Sequence, residues 1–142
     1  MALDNIFGIG GSALNAQTVR MNAVASNLAN AGTVAGSDAE AFRGKRAVFK
    51  AILDDQLNGN SNDNNKGGVK VTEIADDPSP IKKMHDPGNP QADKDGYVYL
   101  SNVNEMTEMV EMMAANRSYQ NNVEVINTAR QLMMRTLDII KS

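Results

Sequence analysis

The sequence predicts a mainly α protein in which long amino- and carboxy-terminal helices pair as a coiled-coil-like hairpin around a small β/loop insert. Three observations predict it. Apolar residues recur at seven-residue spacing through both ends of a 142-residue chain. A polar stretch rich in Asn, Asp and Gly separates the two ends. Bulky core residues are scarce, with three Phe, three Tyr and no Trp against nine Met, a mixture suited to adaptable contacts between helices. The length is that of one domain, residues 1–142.

Residues 5–31 read as the first helix, with Asp4 or Asn5 to cap its start, Gly32 after its end and no Pro between. Phe7, Leu14, Met21 and Leu28 fall seven apart. Val24 and Ala31 hold the companion positions, and Gly10 and Gln17 weaken the first half of this seam. At ~1.5 Å per residue the helix is roughly 40 Å long. Its middle, RMNAVASNLANAGT (20–33), carries small residues and asparagines where a self-sufficient helix has a broad apolar stripe.

Residues 32–101 form the insert. Within it DDQLNGNSNDNNKGG (54–68) is too polar to order itself by burial and reads as a flexible linker. VKVTEI (69–74) alternates like a strand, and GYVYL (96–100) is a second short strand. DDPSP and DPGNP supply turns between them. AFRGKRAVFKAIL (41–53) fits a strand, a short helix or both, and periodicity does not decide between them.

Residues 102–141 read as the second helix. Met112, Tyr119, Ile126, Met133 and Ile140 form one seven-residue series, and Met109, Asn116, Val123, Arg130 and Leu137 the other. Asn102 with Glu105 makes a capping box. Glu105, Glu108 and Glu111 lie early, and Arg130, Arg135 and Lys141 late, as the helix dipole favours. Polar Asn116 and Arg130 in the seam cost stability inside one hairpin but set register in a multi-helix assembly.

The formal charge of −3 gives no general attraction to nucleic acid or anionic membrane. The absence of Cys excludes disulfides and thiol chemistry. No apolar run reaches the ~18 residues of a membrane span, and MALDNIFGIGG lacks the basic start of a cleavable secretory signal. GIGGSA (8–13) matches a dinucleotide fingerprint on paper, yet no strand precedes it and no acid follows at the required distance. QADKDGYVYLSN (91–102) has Asp93, Asp95 and Gly96 placed as in a calcium loop, but Gln91 and Asn102 occupy the two end positions, so a turn into a strand is expected. His85 beside Asp86 lacks further ligands or a nucleophile. Arg43, Lys45 and Arg46 read as a solvated or partner-facing cluster, and the methionines at 106, 109, 112, 113, 133 and 134 as packing surface rather than a soft-metal site. No catalytic, metal or cofactor-binding residue is expected, and no cofactor.

AVASNLANA (23–31), together with ANRSYQNNVEVINTARQLMMRTLDI (115–139), resembles the flagellar axial proteins of the rod and hook. HDPGNPQADKDGYVYLSNVNEMTEMVEMM (85–113) narrows the resemblance to the proximal rod group, from which Ser101 departs by replacing a common Pro. That substitution is expected to loosen the approach to the second helix. The resemblance implies a structural subunit of the basal-body rod, assembling helically into a hollow torque-transmitting shaft across the periplasm and exported by the flagellar type III apparatus rather than by a signal peptide. It implies contacts with further copies, with the rod proteins FlgB and FlgF and with the rod-base adaptor FliE. The implied assembly surface is the helix-packing set Phe7, Leu14, Met21, Val24, Asn27, Leu28, Asn30, Met109, Met112, Asn116, Tyr119, Val123, Ile126, Arg130, Met133, Leu137 and Ile140. Ala23, Ala25, Ser26, Ala29 and Ala31 would allow close approach, and Asn22, Asn27 and Asn30 would bridge subunits. The rival reading is a secreted helical-hairpin adaptor that binds a partner without polymerising.

Overall fold

The computed structural model describes residues 2–52 and 67–141. Helix α1 (Ala2–Asn30) and helix α2 (Glu105–Lys141) enclose five strands in sequence: β1 (Val34–Ala35), β2 (Lys45–Ile52), β3 (Gly68–Asp76), β4 (Lys82–His85) and β5 (Tyr97–Leu100). The expected linker 54–68 lies outside the described residues except for Gly67 and Gly68.

The strands correct the expected fold class. The protein is not a mainly α hairpin with a small insert: two antiparallel sheets are a substantial part of the structure beside the two helices. One is a ribbon of β2 and β3, eight and nine residues long. The other has the order β1-β5-β4. The undecided segment 41–53 supplies β2, which pairs with β3 from Lys45↔Asp76 to Ile52↔Gly68 around a bulge at Val48/Phe49. That bulge breaks the strict alternation by which a strand is read from sequence. β4 was not expected because KKMH is wholly exposed and bears no apolar alternation. Its lysines suit a sheet edge, where charge discourages pairing with another chain.

α1 and α2 pack antiparallel, but apart from Val24 the large heptad residues are not the fully buried ones. The buried positions of α2 are Glu108, Ala115 and Ala129, and those of α1 include Gly10, Ala16, Ala23, Val24 and Asn27. The seam is thus built of small residues, with the larger Met112, Tyr119, Ile126 and Met133 half-buried beside it. Gly10, which weakens the seam as read from sequence, sits at a close approach: a Cβ there would lie 2.7 Å from Ile126 Cγ1. At Gly11 nothing lies within 4 Å. Gly10→Val is therefore expected to cost about 1–3 kcal/mol by overpacking, whereas Gly11→Ala should gain about 0.5–1 kcal/mol from helix propensity and a less flexible unfolded chain. Thermal unfolding followed by circular dichroism checks both; equal shifts in one direction would place the helix contact elsewhere.

Both helix starts differ from expectation. α1 begins at Ala2, before Asp4 or Asn5 could cap it. α2 begins at Glu105, and its cap is Asn104, whose Oδ1 accepts from Thr107 N at 3.1 Å. Asn102 has another task. Ser101 does not loosen the approach to α2: it is buried, its Oγ accepts from Val103 N at 3.2 Å, and its backbone N donates to Thr33 O at 3.3 Å, a bond proline could not make.

Candidate assembly interface

Two features could serve assembly: a polar joint that fixes the sheets to the helix pair, and the apolar surface that the pair leaves outside. The joint centres on Asn27, which is fully buried on α1. Its amide imitates a strand neighbour of Lys45, accepting from Lys45 N at 2.7 Å and donating to Lys45 O at 2.9 Å. Its Nδ2 also donates to Glu108 Oε2 at 2.9 Å. Glu108, 1% exposed on α2, accepts there and pairs through Oε1 with Arg46 Nη1 of β2 at 3.0 Å. A buried carboxylate is tolerated only when hydrogen-bonded and paired, and both conditions hold.

A second amide closes the same end of the ribbon. Asn102 Oδ1 accepts from Gly44 N at 2.8 Å, and Nδ2 donates to Asp77 O at 3.1 Å and Ser79 O at 2.9 Å. Asp77 accepts from Ser79 N at 2.9 Å and from Arg46 Nε at 3.4 Å. Hydrogen bonds from the Ser79 side chain and backbone, aided by Arg46 and opposed by partial burial, hold its carboxyl below the usual range. Arg20 of α1 pairs with Glu111 of α2, and Lys45 with Asp76 across the ribbon.

The basic cluster is therefore balanced within the chain: Arg43 meets Asp38 at 3.0 Å, Lys45 meets Asp76, and Arg46 meets Asp77 and Glu108. Asn27 is fully buried, with its amide spent in the joint. Asn30 donates back to Ser26 O at 2.8 Å, and Asn22 is exposed. Of the five small residues expected to permit close approach, Ala23 is buried and Ala31 half-buried, while Ala25, Ser26 and Ala29 are exposed. Asp93 organises a turn, accepting from Asp95 N at 2.9 Å and Tyr97 N at 2.8 Å. The Tyr97 backbone bond chiefly lowers its pKa. Gly96 completes that turn at φ +77°, a conformation glycine adopts without strain. No group of three or more metal-ligating side chains occurs among the described residues, and none of their helices is long and apolar enough to cross a membrane.

The heptad residues divide by burial. Val24 is buried, and Phe7, Leu14, Met21, Leu28, Met112, Tyr119, Val123, Ile126 and Met133 are half-buried. Met109, Asn116, Arg130, Leu137 and Ile140 are exposed. Around them α2 presents two apolar patches. Met106, Met109, Val110 and Met113 form one, and Val125, Leu132, Met134, Leu137 and Ile140 the other, with exposures of 50–75%. Asn116, Arg117, Gln120 and Asn121 lie between them. Patches of this kind on a helix mark interaction sites.

Sequence reasoning missed Glu108, Asn27, Arg46 and Asn102 as one constellation. A signal existed: Glu108 begins the seven-residue series that continues through Ala115 and Ala129, and small residues repeating beside larger ones mark close backbone approach.

Comparison with known proteins agrees with this architecture at both ends. A family model described as "Flagella basal body rod protein" matches residues 7–35, and one described as "Flagellar basal body rod FlgEFG protein C-terminal" matches residues 94–139. The flagellar basal-body rod protein FlgC of Salmonella typhimurium is 48% identical over 139 residues, 98% of each chain. That of Yersinia enterocolitica is 47% identical over 139 residues, and that of Buchnera aphidicola subsp. Acyrthosiphon pisum 46% over 141, again with 98% of each chain covered.

Proposed function

Since the chain belongs to the FlgC family of flagellar basal-body rod proteins, we propose that it is a structural subunit of the proximal rod, with no catalytic role. The observation that carries this reading is the end-to-end match at 48% identity, which leaves no room for a separate catalytic domain within the matched length. The chain assembles with other rod components in the basal body. Copies stack helically into a hollow shaft that crosses the periplasm and transmits torque, and FlgB, FlgF and FliE are the neighbours. Export follows the flagellar type III route. The chain forms a single rod-protein domain.

The exposed patches of α2 support this reading, because an isolated soluble monomer gains nothing by leaving Met113 64% and Ile140 75% exposed. The assembly surface is then the outward part of the helix-packing set, Met109, Asn116, Arg130, Leu137 and Ile140, while the half-buried members brace the pair from inside. The test is electron microscopy of basal bodies from cells lacking the gene, complemented by the full chain or by a version without residues 2–31. Rods restored only by the full chain are expected. Complete rods in the uncomplemented strain would sink the reading.

A further inference from the structure

A groove between the start of α1 and the second half of α2 is lined by Ile6, Val125, Ala129 and Leu132, with Glu124 on its rim. It is predominantly apolar, and Glu124 is the charged residue among those lining it. Gly10 lies against Ile126, so the antiparallel register puts Ala2, eight residues earlier, level with residue 134. The last turns of α2 extend past that level, with Leu137 51% and Ile140 75% exposed. They carry Arg135, Asp138 and Lys141, two basic residues against one acidic. Groove and helix end thus match in apolar lining to apolar side chains, and the single acid of the groove, Glu124, complements an end in which Arg135 and Lys141 outnumber Asp138.

They cannot meet within one chain. Both lie on the same straight helix, and residue 128 at the groove's centre is roughly 15 Å from residue 138 at ~1.5 Å per residue. We propose that the carboxy-terminal end of α2 in one copy seats in the α1/α2 groove of the next copy, with Leu137 and Ile140 against Val125 and Leu132 and Lys141 toward Glu124. Donor and acceptor are different surfaces, so the contact is heterologous. It leaves a groove free at one end and a helix tip free at the other, and propagates instead of closing on two copies. This inference rests on the rod reading and adds the partner and polarity of its contact.

The test places the chain's only thiols at the two ends of the contact, Val125→Cys with Ile140→Cys, in a protein that has no cysteine of its own. Fifteen helical residues separate them by roughly 22 Å, beyond the ~7 Å Cα separation a disulfide spans. Every disulfide therefore joins two copies. Basal bodies from cells carrying the double variant, oxidised and run without reductant, are expected to give a ladder of dimers and larger multimers that neither single variant gives. Motile cells with assembled rods but only monomer on the gel overturn the contact while leaving the rod reading intact. Dimers from Ile140→Cys alone mean tip-to-tip packing and also overturn it. If the cysteine pair itself blocks assembly, charge exchange decides: Glu124→Lys and Lys141→Glu should each reduce motility, and together restore it. Failure of the pair to restore what either loses, or loss from Glu124→Lys with none from Lys141→Glu, assigns the groove to a different occupant.

Discussion

Glu108→Ala is expected to destabilise the protein by about 3 kcal/mol, the lower end of the range for removing one partner of a buried charge pair, because the Arg46 left behind is partly exposed. The substitution strips one of two acceptors from the fully buried Asn27 Nδ2, leaving Lys45 O, and removes the acceptor of Arg46 Nη1. The two losses are unequal. Arg46 keeps 42% side-chain exposure and a second partner in Asp77, so solvent screens and partly replaces its ion pair. The larger share comes from the buried amide. Glu108→Gln preserves shape and one acceptor and should cost about 1–3 kcal/mol, as for an altered buried hydrogen bond. Urea unfolding of the two variants, read as midpoint shifts at constant slope, separates these cases. Indistinguishable midpoints would mean that the joint is held by Asn27 and Lys45 alone, with Glu108 a bystander.

Met109→Glu combined with Met113→Glu should abolish incorporation into rods and motility while leaving the isolated chain's unfolding within about 0.5 kcal/mol of the parent, as for exposed sites away from structural features. Both side chains are exposed, at 50% and 64%. Two carboxylates there add charge to a surface that must lose water on assembly, next to Glu105 and Glu111 of the same helix. The contrast with Glu108→Ala is the informative result: one variant damages the subunit, the other only its association. Normal swimming would show that this patch faces solvent in the rod and leave the distal patch of α2 as the surface that associates.

Much of the architecture was legible because helices announce themselves by period. The two long helices, their antiparallel order and the strands at 69–74 and 96–100 followed from residue spacing, and the family from the runs at 23–31, 85–113 and 115–139. The sheets were underestimated for a physical reason. β2 draws its order from a partner in β3 and from the Asn27 and Asn102 amides at its start, long-range contacts that no window of local sequence contains. The helix seam was misread for a related reason. Large apolar residues carry the visible period, yet Ala115 and Ala129 are the buried ones, and Met109 and Leu137 are left to solvent. Asn102 had the spacing of a capping box, but Asn104, two residues on, reaches the free amide of Thr107.

The small-residue seam has a mechanical consequence. Interlocking side chains resist sliding along a helix axis, whereas alanine and glycine present a nearly smooth track. In this protein Asn27 with Glu108, and Arg20 with Glu111, pin α1 to α2 beside the ribbon. Farther along α1, Gly10 lies against the Ile126 side chain of α2. A load along the helix axes therefore falls on the Asn27–Glu108 and Arg20–Glu111 contacts, beside the ribbon that the same joint anchors.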